Sequence, residues 1–247
     1  LCAFIDGVKI CIYRPDRPSG WLLLILCASW LSAGPAGAEA AWPPPGFVYV
    51  DELIPDIVLD LRYYGDDNFV GHRIDGYVRP KGILTTQAAA ALKGVQEDLA
   101  PFGLGIKVFD AYRPQRAVDD FVRWAEDVTD TRTKDRFYPD VAKKNLFREN
   151  YIAARSSHSR GSTVDLTIVV RSGAAAGSEL DMGSGFDLFG PRSWPTSLAV
   201  SPASRAHRML LQVLMKKHGF EPYPQEWWHF TLKDEPFPDS YFDFPVR

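Results

Sequence analysis

Two short stretches concentrate the residue types that bind metal ions and move protons. The first is Ser156-Ser157-His158-Ser159-Arg160-Gly161-Ser162-Thr163-Val164-Asp165, a His-x6-Asp pair. The second is Glu226-Trp227-Trp228-His229, in which a glutamate precedes a histidine by three positions. Imidazole and carboxylate are the nitrogen and oxygen ligands of Zn²⁺, and a catalytic zinc site uses three of them while leaving a position for water. His158, Asp165 and His229 supply such a set. Glu226 is left free to work on water as a general base.

The elements around these residues must bring them together. Gly161 allows a tight turn after His158, and the β-branched run Thr163–Val170 reads as a central strand. On a strand Asp165, Thr167 and Val169 share one face, with Leu166 and Ile168 on the other. A three-residue offset would place Glu226 and His229 on opposite faces of a regular strand. Both can approach one metal only if Glu226 sits in the turn before the strand, and Pro222 and Pro224 favour such a turn. The other histidines fit the site less well: His72 falls in a loop, His207 on the polar side of a helix, and His218 at a helix C-terminus.

Short β-type runs are expected at 47–50, 57–61 and 106–109, with an aromatic strand at 226–232 and a Gly/Asp/Tyr-rich loop at 63–82. A helix should start at Thr85 or Thr86, bury Ala88, Leu92, Val95 and Leu99, and stop at Pro101 and Gly103. A second helix follows Asp110-Ala111-Tyr112-Arg113-Pro114, with Val118, Phe121, Val122 and Ala125 inward. Residues 128–155 read as partly helical surface and 171–202 as a long irregular segment of the functional kind. A third helix runs from Pro202 to His218, capped by Ser201 and stopped by Gly219, with Ala206, Met209, Leu210, Val213 and Leu214 as its buried stripe. The fold class expected is α+β: a small, mostly antiparallel sheet, helices packed against it and the metal site in a central cleft.

With 28 basic against 31 acidic residues the chain lacks the basic excess of a nucleic-acid binder. Its 46% hydrophobic and 24% charged residues are ordinary for a globular protein. Lys9, Arg14 and Arg17 precede the apolar run 21–31, and Ser32-Ala33-Gly34-Pro35-Ala36-Gly37-Ala38 follows it. A basic flank, an apolar core of roughly 7–15 residues and a small-residue site describe a secretory signal peptide. The expectation is therefore a signal at 1–38, a single domain at 39–247, export to the periplasm and no stable membrane span after cleavage. An uncleaved membrane-surface anchor is the alternative reading. Cys2, Cys11 and Cys27 all lie in the signal, so cysteine ligands and thiol nucleophiles are excluded from the mature form.

The first motif resembles the S-x-H-x-x-G-x-x-x-D signature of zinc D-Ala-D-Ala peptidases, and Glu226-Trp227-Trp228-His229-Phe230 resembles their E-x-x-H motif. Three further stretches resemble the dipeptidase branch, the VanX-like D-alanyl-D-alanine dipeptidases of peptidase family M15. These are 110–118 (DAYRPQRAV), 182–187 (MGSGFD) and 234–245 (DEPFPDSYFDFP). The five blocks come in the expected order and the likeness runs from about Phe47 to Arg247, weakest in the N-terminal third.

The resemblance implies one Zn²⁺ per chain held by His158, Asp165 and His229, with Glu226 as catalytic base. It implies that Arg113 stabilises the developing oxyanion and that Asp187 lies near the substrate's free amino group. A surface ion pair of Arg113 with Asp110 or Asp119 is the simpler alternative. Ser156 and Tyr63, or Tyr64 in its place, match substrate contacts, and Trp227, Trp228 and Phe230 could wall a tight alanine pocket. The implied reaction is hydrolysis of D-Ala-D-Ala to two D-alanines through a metal-activated water. The family's best-known members are cytoplasmic, so an export signal departs from them and suits a role in recycling or scavenging wall dipeptide. Two other functions stay open: a D,D-carboxypeptidase or endopeptidase acting on longer wall peptides, and a non-catalytic zinc-containing wall-binding domain. Pure binding would need neither Glu226 nor Arg113.

Overall fold

The computed structural model describes Cys2–Ile5, Val8–Cys11 and residues 42–247. β1 (Cys2–Ile5) and β2 (Val8–Cys11) pair antiparallel within the unit formed by residues 1–39. The apolar run 21–31 and the small-residue site at 32–38 lie outside the described residues. Among the described residues no helix is long and apolar enough to cross a membrane.

In the unit formed by residues 40–247, β3 (Phe47–Tyr49) leads into the single-turn helix α1 (Val50–Leu53) and then β4 (Val58–Leu59). β5 (Ile83–Thr85) returns antiparallel to β3, with Phe47 opposite Thr85. α2 (Thr86–Leu99) begins where Thr85 accepts a hydrogen bond from the Ala88 amide. It buries Ala88, Leu92, Val95 and Leu99, as their spacing requires. Gly103, in the left-handed region at φ 67°, turns the chain into β6 (Leu104–Asp110). Pro114 occupies the N-cap of α3 (Gln115–Glu126), and Val118, Phe121 and Ala125 face inward with Trp124.

After α4 (Lys134–Phe137) and an irregular stretch, β7 (Thr163–Val170) forms the buried centre of the sheet. α5 (Pro202–Lys217), β8 (Phe220–Pro222) and β9 (His229–Leu232) complete the unit. Among the described residues the main sheet has five strands in the order β4-β6-β7-β9-β8. Only the β4–β6 pair is parallel; β6–β7, β7–β9 and β8–β9 are antiparallel. The α+β architecture is the expected one.

Two expectations need correction. The last strand starts at His229, not at residue 226, and Glu226 sits in the turn before it, where the His229 amide donates to its carbonyl at 3.4 Å. The buried stripe of α5 is Ser204, Arg208, Leu211 and Met215. Met209 and Val213 are 63% and 59% exposed, Ala206 and Leu210 also face solvent, and Leu214 is half-buried. The reason lies in what the helix covers: loop carbonyls that need a hydrogen-bond donor, so a guanidinium turns inward where periodicity would place leucine.

Residues beyond β9 run back across the domain. The Phe242 amide donates to the Ser159 carbonyl at 2.8 Å, and the Gln115 amide donates to the Phe242 carbonyl at 3.0 Å. Phe237, Phe242 and Phe244 pack around the ring of Phe47.

Candidate active site

His158 lies in a short 3₁₀ turn, 157–160, that is capped by Ser156 and closed by Gly161 at φ 83°. A Cβ at Gly161 would fall 2.3 Å from Phe47 Cε1, so both the backbone angle and the space demand glycine. Asp165 is on β7, directly opposite His229 on β9. The sheet register thus joins the two sequence motifs.

His158 Nδ1 donates to the Ala111 carbonyl at 2.7 Å, which directs Nε2 into the site. His158 Nε2 lies 3.3 Å from His229 Nδ1 and 3.3 Å from Asp165 Oδ2, and His229 Nδ1 lies 3.2 Å from Asp165 Oδ1. Ligand atoms bound tetrahedrally to zinc at 2.0–2.1 Å must sit about 3.3 Å apart. Asp165 Oδ1 is buried without a hydrogen-bond partner, an acceptor left for a cation. The donor set therefore fits Zn²⁺. Although burial opposes ionisation, the two imidazoles hold the Asp165 carboxyl well below the usual carboxylate range. Burial lowers the His158 pKa, favouring the neutral ligand form. His229 is raised: burial opposes its cation, but Asp165 and Glu226 outweigh that effect.

Glu226 Oε2 is 3.4 Å from His229 Nδ1. Burial pushes the Glu226 carboxyl up to about 7, with Asp165 adding to the rise and His229 and Arg113 opposing it. Such a group can take and return a proton near neutrality. Arg113 reaches the same place from the turn after β6. Its Nε donates to Asp110 Oδ2 at 2.9 Å, and Nη2 lies 3.6 Å from Asp165 Oδ2. The pairing with Asp110 is real, but it is buried rather than superficial. The guanidinium also stacks over the rings of Tyr63 and Phe121.

Arg113, Asp165, Glu226 and His229 line a cleft of about 410 Å³. Asp187 lines it, 4% exposed and held at φ 60°. The Tyr63 hydroxyl donates to its two carboxylate oxygens at 2.9 and 3.2 Å. Burial, followed by the charges of Asp165 and Glu226, raises the Asp187 carboxyl well above the usual range. Tyr63, not Tyr64, and Ser156 line the cleft. Its aromatic walls are Phe69, Phe121, Tyr151, Phe189 and Tyr223. Trp227, Trp228 and Phe230, expected as walls, are buried in the core instead.

Sequence reasoning missed Ser157, whose Oγ lies 3.3 Å from His229 Nε2. Its place beside His158 was the available signal. Asp110 appeared there only as a surface partner, whereas Tyr77 and Arg113 both donate to it within the core. Tyr151 and Tyr223 carry no local signal, since the approach of separate loops selects them.

A family model described as D-ala-D-ala dipeptidase matches residues 44–247. The D-alanyl-D-alanine dipeptidase of Streptomyces coelicolor is 45% identical over 200 residues, covering 81% of this chain and 98% of that protein. The enzyme of that name from Enterococcus faecalis is 41% identical over 201 residues, with coverage of 81% and 98%. That of Escherichia coli is 32% identical over 180 residues, covering 73% and 81%.

Proposed function

The chain belongs to the D-Ala-D-Ala dipeptidase family, and on that footing we propose that it hydrolyses free D-Ala-D-Ala to two D-alanines in this cleft. The observation that carries the reading is the buried Asp187 carboxylate facing the same cleft as the His158–Asp165–His229 set. A dipeptide differs from the end of a longer peptide by its free ammonium, and a buried carboxyl that ionises when a cation pairs with it is the group to recognise it.

One Zn²⁺ per chain, held by His158, Asp165 and His229, would supply Lewis-acid polarisation of a carbonyl and a water acidic enough to attack near neutral pH. Glu226 takes a proton from the attacking water as its oxygen bonds to the carbonyl carbon. It then delivers that proton to the departing amine as the C–N bond breaks; such transfers contribute about 10²–10⁴-fold. Arg113, fixed by Asp110, offsets negative charge on the carbonyl oxygen, an effect worth roughly 3–4 kcal/mol. Tyr63 holds Asp187 in place for the amino end, and Ser156 offers a hydroxyl on the rim.

The reading extends to export, carried by the basic flank, apolar run and small-residue site at residues 9–38. N-terminal sequencing of protein recovered from the periplasmic fraction tests that part: a chain starting near residue 39 is expected.

The activity is tested with zinc-loaded protein on D-Ala-D-Ala, N-acetyl-D-Ala-D-Ala and a wall pentapeptide. Cleavage of the free dipeptide alone, lost in Glu226→Ala, is the expected result. Cleavage mainly of the longer peptides would move the protein to the carboxypeptidase branch, and no cleavage of any would leave a binding domain.

A further inference from the structure

Arg208 lies on α5, remote in sequence from the residues assigned above, and is 1% exposed. Its guanidinium is directed at uncharged oxygens. Nε donates to the Met182 carbonyl at 2.6 Å and Nη1 to the Trp194 carbonyl at 2.8 Å. Nη2 donates to Ser184 Oγ at 3.2 Å and the Arg192 carbonyl at 3.1 Å. Burying a cation on such partners is costly, and a leucine would simply continue the face of Leu211 and Met215. Burial lowers the guanidinium to about 10, which leaves it charged at neutral pH.

Every acceptor belongs to residues 182–194, and that segment carries Asp187. Regular structure within it is limited to the 3₁₀ turn Pro191–Ser193. Asp187 sits near its middle in the left-handed region, at φ 60°, a conformation that aspartate adopts more readily than most residues with a side chain. The grip extends to the catalytic turn. Trp227, next to Glu226, donates its indole N–H to Ser184 Oγ at 2.9 Å and its amide to the Ser193 carbonyl at 3.0 Å.

We propose that Arg208 is a positioning residue for substrate recognition: by gripping residues 182–194 it sets the Asp187 carboxylate where the amino end of the dipeptide docks. The inference rests on the dipeptidase reading above. A planar fork with several fixed donors suits the task, because it ties carbonyls from both ends of the segment to one rigid group.

The test uses the full chain, zinc-loaded, with Arg208→Met, Arg208→Lys and Ser184→Ala. Three quantities are read: KM and kcat for D-Ala-D-Ala, the inhibition constant of N-propanoyl-D-alanine, and amide exchange across 182–194. N-propanoyl-D-alanine keeps the skeleton of the substrate and lacks its amine. Arg208→Met should raise KM about tenfold or more with a much smaller fall in kcat. The inhibition constant should stay within about twofold, since that molecule has no ammonium to lose. Exchange should quicken in 182–194 and stay unchanged in Thr163–Val170.

Arg208→Lys keeps the charge without the fork and should also raise KM; Ser184→Ala should shift it less, in the same direction. These two decide the matter if Arg208→Met does not fold. Equal rises in KM and the inhibition constant would show general damage and overturn the proposal, as would unchanged KM in folded variants. Failure of the dipeptidase reading shows separately, as absence of turnover by the unsubstituted protein. The exchange measurement then decides alone whether Arg208 holds the segment.

Discussion

Arg113 and Asp110 form a buried ion pair, Nε to Oδ2 at 2.9 Å, on the turn that leaves β6. The carboxylate holds Nε of the guanidinium, and Nη2 beside it faces Asp165 in the site. The ion pair offered by the sequence as a surface feature is thus a buried one, and it aims Arg113 at the site.

Removing the anchor should cost more than removing a surface bridge. Asp110→Ala leaves a buried cation unpaired and should destabilise the protein by about 3–5 kcal/mol in urea titrations. Arg113→Lys cannot keep both contacts and should lower kcat by about 10²–10³-fold with KM little changed. A Lys variant with full kcat would remove Arg113 from the chemistry.

Ser157 orients His229 through Nε2 at 3.3 Å. Partners of this kind typically govern metal affinity by about 10–100-fold. Ser157→Ala should weaken zinc binding by that order in competition with a chromophoric chelator. Unchanged affinity would mean that β9 alone fixes the imidazole.

The raised pKa of Glu226 has a signature in the metal-free protein. The folded state holds this proton up to about 7, whereas an unfolded glutamate releases it near about 4.3. The stability contributed by the bound proton is complete below the lower value and is lost as pH rises through the upper one. Glu226→Gln cannot ionise, so its gain in melting temperature over the chelated parent should be larger at about pH 8 than at about pH 5. A gain that is the same at both would show that Glu226 does not titrate in this window.

Gly161 combines φ 83° with a Phe47 ring atom 2.3 Å from where a Cβ would stand. Gly161→Ala should cost at least about 2 kcal/mol, from the left-handed backbone and the forced displacement of Phe47. Denaturant unfolding measures the cost. A neutral result would show that the ring moves aside freely.

The candidate metal set was legible because its spacing carries geometry. A glycine after His158 makes the turn, alternation fixes the face of Asp165, and the prolines before Glu226 break the strand where the site needs a bend. The walls of the cleft were not legible. Trp227 and Trp228 stand beside His229 in sequence, yet both pack into the core from the turn before β9, while Tyr151 and Tyr223 arrive from loops that only tertiary packing brings close. The stripe of α5 misled for a related reason. Periodicity assigns apolar residues to the inner face, and Leu211 and Met215 do pack there, but part of the surface under this helix is loop carbonyls, and Arg208 meets them.

Phe242 joins the backbone after His158 to the backbone after Arg113 through its own carbonyl and amide. The two residues it links are about 45 positions apart, and Phe242 is synthesised more than 80 positions after the later of them. The clasp on the turns of His158 and Arg113 is therefore made after every residue that it holds. Closing contacts over such separations is slow relative to local helix formation. The setting of His158 and Arg113 thus matures only once the segment beyond β9 has been made and has crossed the domain.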